Sequence, residues 1–106
     1  MLKSGQGSNQ KAENYYIIIH ETANQNQATG KNEATYMSNN WQSAYTTYIV
    51  GDGIVYQIYK AGYVSWGALN ANPYAPVQIE LEHTLDKDKF KKNYKVYIEL
   101  IRKSCD

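Results

Sequence analysis

Tyr15-Tyr16-Ile17-Ile18-Ile19-His20-Glu21-Thr22 is the stretch on which the fold turns. The branched and aromatic residues directly before His20 read as a strand covered on both faces, which would deliver the imidazole to the strand's C-terminal end on a rigid support. Ligands tend to sit at such strand ends. A histidine placed there can hold a metal; it can also simply cap the strand and hydrogen-bond to a neighbour. The chain contains one other histidine, His83.

Working outward, the length of 106 residues suits one domain with a real core, toward the small end of the range. Eleven basic residues face 10 acidic ones, so electrostatic binding of nucleic acid gains no support. The mixed stretch Asp86-Lys87-Asp88-Lys89-Phe90-Lys91-Lys92 reads as a solvated helix face. A lone cysteine, Cys105, excludes an internal disulfide and leaves too few thiolates for a structural zinc cluster. Residues 1–10 lack the apolar core of a secretory signal, and no segment approaches the length of a membrane span. The expectation is a chain made in the cytoplasm that does not act in a membrane and reaches any target outside by a route other than its own leader. Tyrosine is abundant, at 11 residues, and with Trp41 and Trp66 several of these rings fall near glycine, asparagine or proline. They could form a sugar- or peptide-binding surface, or fill the rim of a small core.

Residues 1–14 are polar and contain glycine, so they read as a flexible or loosely docked arm, with the domain proper spanning 15–106. After the His20 strand, Ala23 to Lys31 reads as a polar loop. Asn32 then caps a short helix in which Ala34, Met37 and Trp41 recur at helical spacing. Thr46 to Val50 and Ile54 to Tyr59 flank Gly51-Asp52-Gly53, a strong hairpin signal because the turn can take positive φ. Tyr63 to Ala68 reads as a brief strand or extended turn, and Leu69 to Ala75, with Pro73, as a loop. In Val77-Gln78-Ile79-Glu80-Leu81-Glu82-His83, alternation places Val77, Ile79 and Leu81 on one face and Gln78, Glu80 and Glu82 on the other. The last element, from about Asp86 to Lys103, is an amphipathic helix with Phe90, Tyr94, Tyr97, Ile98 and Ile101 on its apolar stripe, initiated by Thr84 or Asp86. The sum is an α/β (α+β) domain, a central mixed sheet flanked by helices.

Glu80 sits in mid-strand, where burial without a partner is costly; a carboxylate tolerated there commonly faces a cation or a wet cleft. Glu82 competes for the same role, and both could instead lie on the solvent face of a half-exposed strand. A hydrolytic zinc needs about three protein ligands, an open position for water and a carboxylate to take that water's proton. His20 could be one ligand.

Taken in order, Ile17-Ile18-Ile19-His20-Glu21-Thr22, Trp41-Gln42-Ser43-Ala44-Tyr45, the hairpin from Tyr48 to Gln57, Val64-Ser65-Trp66-Gly67-Ala68 and Val77-Gln78-Ile79-Glu80-Leu81-Glu82 resemble zinc-dependent N-acetylmuramoyl-L-alanine amidases. This is the family related to phage T7 lysozyme and the peptidoglycan recognition proteins, and the likeness is to endolysins of phages and prophages of lactic acid bacteria. It covers about residues 15–104. The resemblance implies a shallow groove holding the glycan and stem peptide of bacterial peptidoglycan, and cleavage of the amide joining N-acetylmuramic acid to L-alanine. It implies zinc as cofactor, His20 as the first zinc-binding histidine and Glu80 as the glutamate that assists water attack. Trp41, Tyr45, Trp66 and Asn70 are candidates for the groove, and Thr47 stands where many relatives carry a hydrogen-bonding histidine. The family's other two zinc ligands, a histidine and then a cysteine or aspartate, follow the last helix. This chain reads as truncated before them, as in an interrupted prophage gene. His83, three residues from Glu80, points to the opposite face and is no substitute, and Cys105 and Asp106 are poor ones. The alternatives are a module that binds muropeptide without cutting it, and a site completed by dimerisation or by a separate C-terminal piece.

Overall fold

A computed structural model of the chain describes residues 1–21 and 29–105. Four strands form one mixed sheet: β1 (Ile17–Glu21), β2 (Tyr48–Gly51), β3 (Ile54–Gln57) and β4 (Val77–Leu81), in the spatial order β1-β4-β2-β3. β4 runs parallel to both β1 and β2, and β2 pairs with β3 as a hairpin. The hairpin turn has Asp52 and Gly53 at φ of 53° and 70°, the doubly left-handed turn whose twist matches the flanking strands.

Helix α1 (Gly30–Asn39) covers one face, over Ile49, Tyr45 and Ile58, and α2 (Lys87–Cys105) covers the other, over Val50, Val77, Ile79 and Leu81. Alternation along β2 and β4 therefore feeds two cores. The helices make this a three-layer sandwich, the mixed-sheet architecture anticipated from the sequence.

Several elements differ from their sequence expectation, each for a local reason. β1 is an edge strand of the described sheet, not one covered on both faces, and Ile19 is 49% exposed. The cap of α1 is Thr29, whose hydroxyl accepts from Asn32 N while Asn32 Oδ1 accepts from Thr29 N, so Asn32 is the third residue of a capping box. Gly30 and Lys31 consequently belong to the helix, and Trp41 lies just beyond it; the expected loop at Ala23 to Ala28 falls outside the described residues. Leu69–Tyr74 is a 3₁₀ helix instead of a loop, and of the two readings for Tyr63 to Ala68 the extended turn holds, with an isolated bridge from Tyr63 to Lys11.

On α2, Asp86 is the initiator, its carboxylate accepting from Asp88 N and Lys89 N. The inward face carries Asn93, Val96, Tyr97, Leu100 and Ile101, whereas Phe90 and Tyr94 are exposed and stack on each other with centroids 6.0 Å apart. The stripe is displaced because Asn93 turns inward to serve polar partners. Its Oδ1 accepts from Gly53 N at 2.7 Å and its Nδ2 donates to Glu82 at 2.9 Å. Residues 1–14 lie against the domain: Leu2 is buried, Leu2 N donates to Ile58 O, and Ser8, Gln10 and Ala12 bond to Tyr45, Val64 and Gly62.

Candidate functional site

The parallel register sets His20 directly beside Glu80, and Glu80 beside Ile49 of β2. Ile49 belongs to the core under α1, so all three side chains share that face. The imidazole Nε2 lies 3.2 Å from Glu80 Oε1. Nε2 is buried and makes no aligned hydrogen bond, while 37% of the His20 side chain remains open to solvent.

Burial governs the protonation of both groups. It pushes the Glu80 carboxyl up to about 7, with the negative charge of Glu33 on α1 adding to the effect, and it lowers His20 from its ordinary value. Each shift favours a neutral group. The result is a neutral imidazole beside a carboxyl that exchanges its proton near neutrality, the protonation states suited to a metal ligand and to a general base.

Glu82, the rival carboxylate, is 1% exposed and committed to structure. It accepts from Gly30 N at the start of α1, from Asp52 N in the hairpin turn and from Asn93 Nδ2, and Lys89 Nζ lies 3.2 Å away. Neither glutamate is therefore on a solvent face. Lys89 also pairs with Asp52 at 2.9 Å, so it departs from the solvated lysine face to which Lys87, Lys91 and Lys92 conform. His83 pairs with Glu21 at 2.6 Å, away from Glu80.

Trp41 and Trp66 stack with centroids 5.9 Å apart and an interplanar angle of 22°, both part-buried. Asn70 is exposed on the 3₁₀ helix. Tyr45 and Thr47 cannot touch a ligand as expected: both are fully buried, the Tyr45 hydroxyl bonds to Ser8 N and Val64 O, and Thr47 Oγ1 accepts from Gln78 N. Two residues that sequence reasoning passed over, Gln78 and Asn72, organise this region through side-chain amides. A buried glutamine in an alternating strand was the available signal for the first.

As for a metal, His20 Nε2 is a suitable donor, but among the described residues no three His, Cys, Asp or Glu side chains come together. Among the same residues no helix is long and apolar enough to cross a membrane.

The family model for N-acetylmuramoyl-L-alanine amidase matches residues 10–106. An endolysin of Listeria phage A511 is 46% identical over 88 residues, covering 81% of this chain and 26% of that protein. A bifunctional autolysin of Staphylococcus aureus is 31% identical over 84 residues, covering 78% of this chain and 7% of that protein. The chain thus spans about a quarter or less of these relatives. Among solved structures, the Staphylococcus aureus hydrolase AmiA in complex with its ligand superposes with a TM-score of 0.77 at 28% identity, over 92% of this chain and 49% of that one. PlyL gives 0.72 at 20% identity, over 89% of this chain and 60% of that one, a likeness of fold.

Proposed function

Because the chain belongs to the N-acetylmuramoyl-L-alanine amidase family, we propose that the His20–Glu80 face is a peptidoglycan-cleaving site, with Glu80 as general base, His20 as one zinc ligand and the Trp41–Trp66 pair as groove wall. The observation that carries this reading is the 3.2 Å approach of His20 to a part-buried Glu80 whose carboxyl is raised to about 7. The substrate is the amide between the lactyl carbonyl of N-acetylmuramic acid and the nitrogen of L-alanine in bacterial peptidoglycan. Glu80 takes a proton from the attacking water as its oxygen adds to that carbonyl. It then returns the proton to the alanine nitrogen as the C–N bond breaks. Trp41, Trp66 and Asn70 contact the glycan or stem peptide at the half-exposed rim.

Zinc, when bound in such sites, polarises the carbonyl and acidifies the water. One imidazole is only part of the roughly three-ligand set that a catalytic zinc takes, so the described residues do not make a complete metal site, and no step here is routed through it. That donor set favours a second reading, in which the groove binds muropeptide without cleaving it.

Zinc content of the purified chain, with release of peptide from peptidoglycan before and after a chelator, separates the two. Cleavage that requires metal and is abolished in both Glu80→Ala and His20→Ala supports the amidase. Muropeptide binding that survives the chelator, without cleavage, supports the binding module. A zinc-loaded species that sediments as a dimer would place the remaining donors on a second copy.

A further inference from the structure

The Trp41–Trp66 pair ends a row of rings that begins in the core: Tyr59 meets Tyr45 edge-on at 5.7 Å, and Tyr45 meets Trp66 at 5.3 Å. Stacking alone does not fix Trp66, because the indole can slide on its neighbours at little cost. Its backbone is held instead. Tyr45 N donates to Trp66 O at 3.1 Å, and Gln78 Nε2 donates to Ser65 O at 3.1 Å, one residue before the indole. Two residues after it, Ala68 N donates to Asn72 Oδ1 at 2.7 Å, and that same oxygen accepts from Gln78 Nε2 at 3.1 Å.

Gln78 is fully buried on β4, two residues before Glu80 and hence on the same face. An apolar side chain would fill that space without a desolvation cost. What the amide adds is direction: its two donor bonds fix its orientation and tie the tryptophan segment to the strand that carries Glu80. Gly67 lets the segment come this close, since a Cβ there would lie 2.7 Å from Gln78 Oε1 and 2.8 Å from Thr46 Cγ2.

We propose that Gln78 and Asn72 are positioning residues, an amide clamp that fixes Trp66 against Trp41 at a set place relative to Glu80. The proposal rests on reading this face as the muropeptide groove. The clamp itself is testable without ligand, because Trp41 and Trp66 are the chain's only tryptophans and near-ultraviolet circular dichroism reads their stacking directly.

In the full chain, Asn72→Ala removes the oxygen that accepts from both Ala68 N and Gln78 Nε2, so it should flatten the indole dichroism and weaken binding of a soluble disaccharide-peptide at least about tenfold, with a modest fall in melting temperature. Asn72→Asp keeps the accepting oxygen and should retain both the spectrum and the affinity. Gln78→Leu, where it folds, should behave as Asn72→Ala. The clamp is overturned if Asn72→Ala keeps the wild-type indole spectrum, or if Asn72→Asp loses it as completely as Asn72→Ala. Absence of muropeptide binding by the wild type would refute the groove reading, and the spectra would still decide for or against the clamp.

Discussion

Replacing Glu80 by glutamine should stabilise the metal-free protein above neutrality and leave it nearly unchanged in acid. Burial, with the charge of Glu33 adding to it, raises the folded-state pKa of Glu80 from 4.5 to about 7. Between those values the folded chain holds a proton that the unfolded chain has released, so stability falls as pH rises through the window. Glutamine has the shape of the protonated acid and carries no charge to desolvate. At about pH 8 a shift of this size corresponds to roughly 3 kcal/mol, an upper figure for a side chain that keeps some solvent contact. The assay is urea unfolding followed by tryptophan fluorescence, in chelator, from about pH 4 to 9, for both proteins. His20 Nε2 lies 3.2 Å from Glu80 Oε1, so its titration is coupled to that of Glu80 and is followed by NMR in both proteins. A stability difference that stays flat across the range, or a Glu80 protein that is the more stable at alkaline pH, would refute the reasoning.

The remaining expectations concern the frame around the site. Glu82→Ala strands Gly30 N, Asp52 N and Asn93 in a buried place and should cost about 3 kcal/mol, read as a lowered urea midpoint; a cost under about 1 would deny its role as the junction of both helices and the hairpin. Gly51→Ala should destabilise by at least about 2 kcal/mol, because its Cβ would lie 2.5 Å from the Gly30 Cα, and a wild-type melting temperature would show that the backbones can part. Thr29→Ala removes the capping box and should cost about 1 kcal/mol in chemical denaturation, with Thr29→Ser recovering most of it. NMR titration of His20 in the metal-free chain should give a midpoint below 6.5, so that its contribution to stability is lost as pH falls through that value; a midpoint above it would mean that the Glu80 charge outweighs burial.

The fold was legible wherever hydrophobic period and turn chemistry agreed. The hairpin about Asp52-Gly53, the alternating β4 and the long α2 follow from pattern alone. What stayed hidden depended on partners distant in sequence. The apolar run of Ile17 to Ile19 predicts a strand, but its edge position comes from pairing with β4 some 60 residues later. Asn93 faces inward in place of Phe90 or Tyr94 because Gly53 N and Glu82 need it, and helical periodicity counts only apolar residues. For the candidate site, His20 and Glu80 were readable as separate oddities, a histidine closing an apolar strand and a mid-strand acid. Tyr45 and Thr47 were named through the family resemblance, and a place in a motif cannot tell a side chain at a groove from one whose hydroxyl is satisfied inside.

The strand order also gives two neighbours 3.2 Å apart different surroundings. Glu80 is on β4, flanked on both sides by strands, so its carboxyl loses most of its water and its pKa climbs into the range where a base works at neutral pH. His20 is on β1, at the edge of the described sheet, where more than a third of its side chain still meets solvent while Nε2 itself is buried against Glu80. Exchanging the two residues would move the carboxylate to the edge strand and return the acid toward an ordinary carboxylate value. Under the proposed roles, the two residues are already differentiated by their positions in the sheet. The register that pairs position 20 with position 80 is what sets an edge histidine beside a central glutamate.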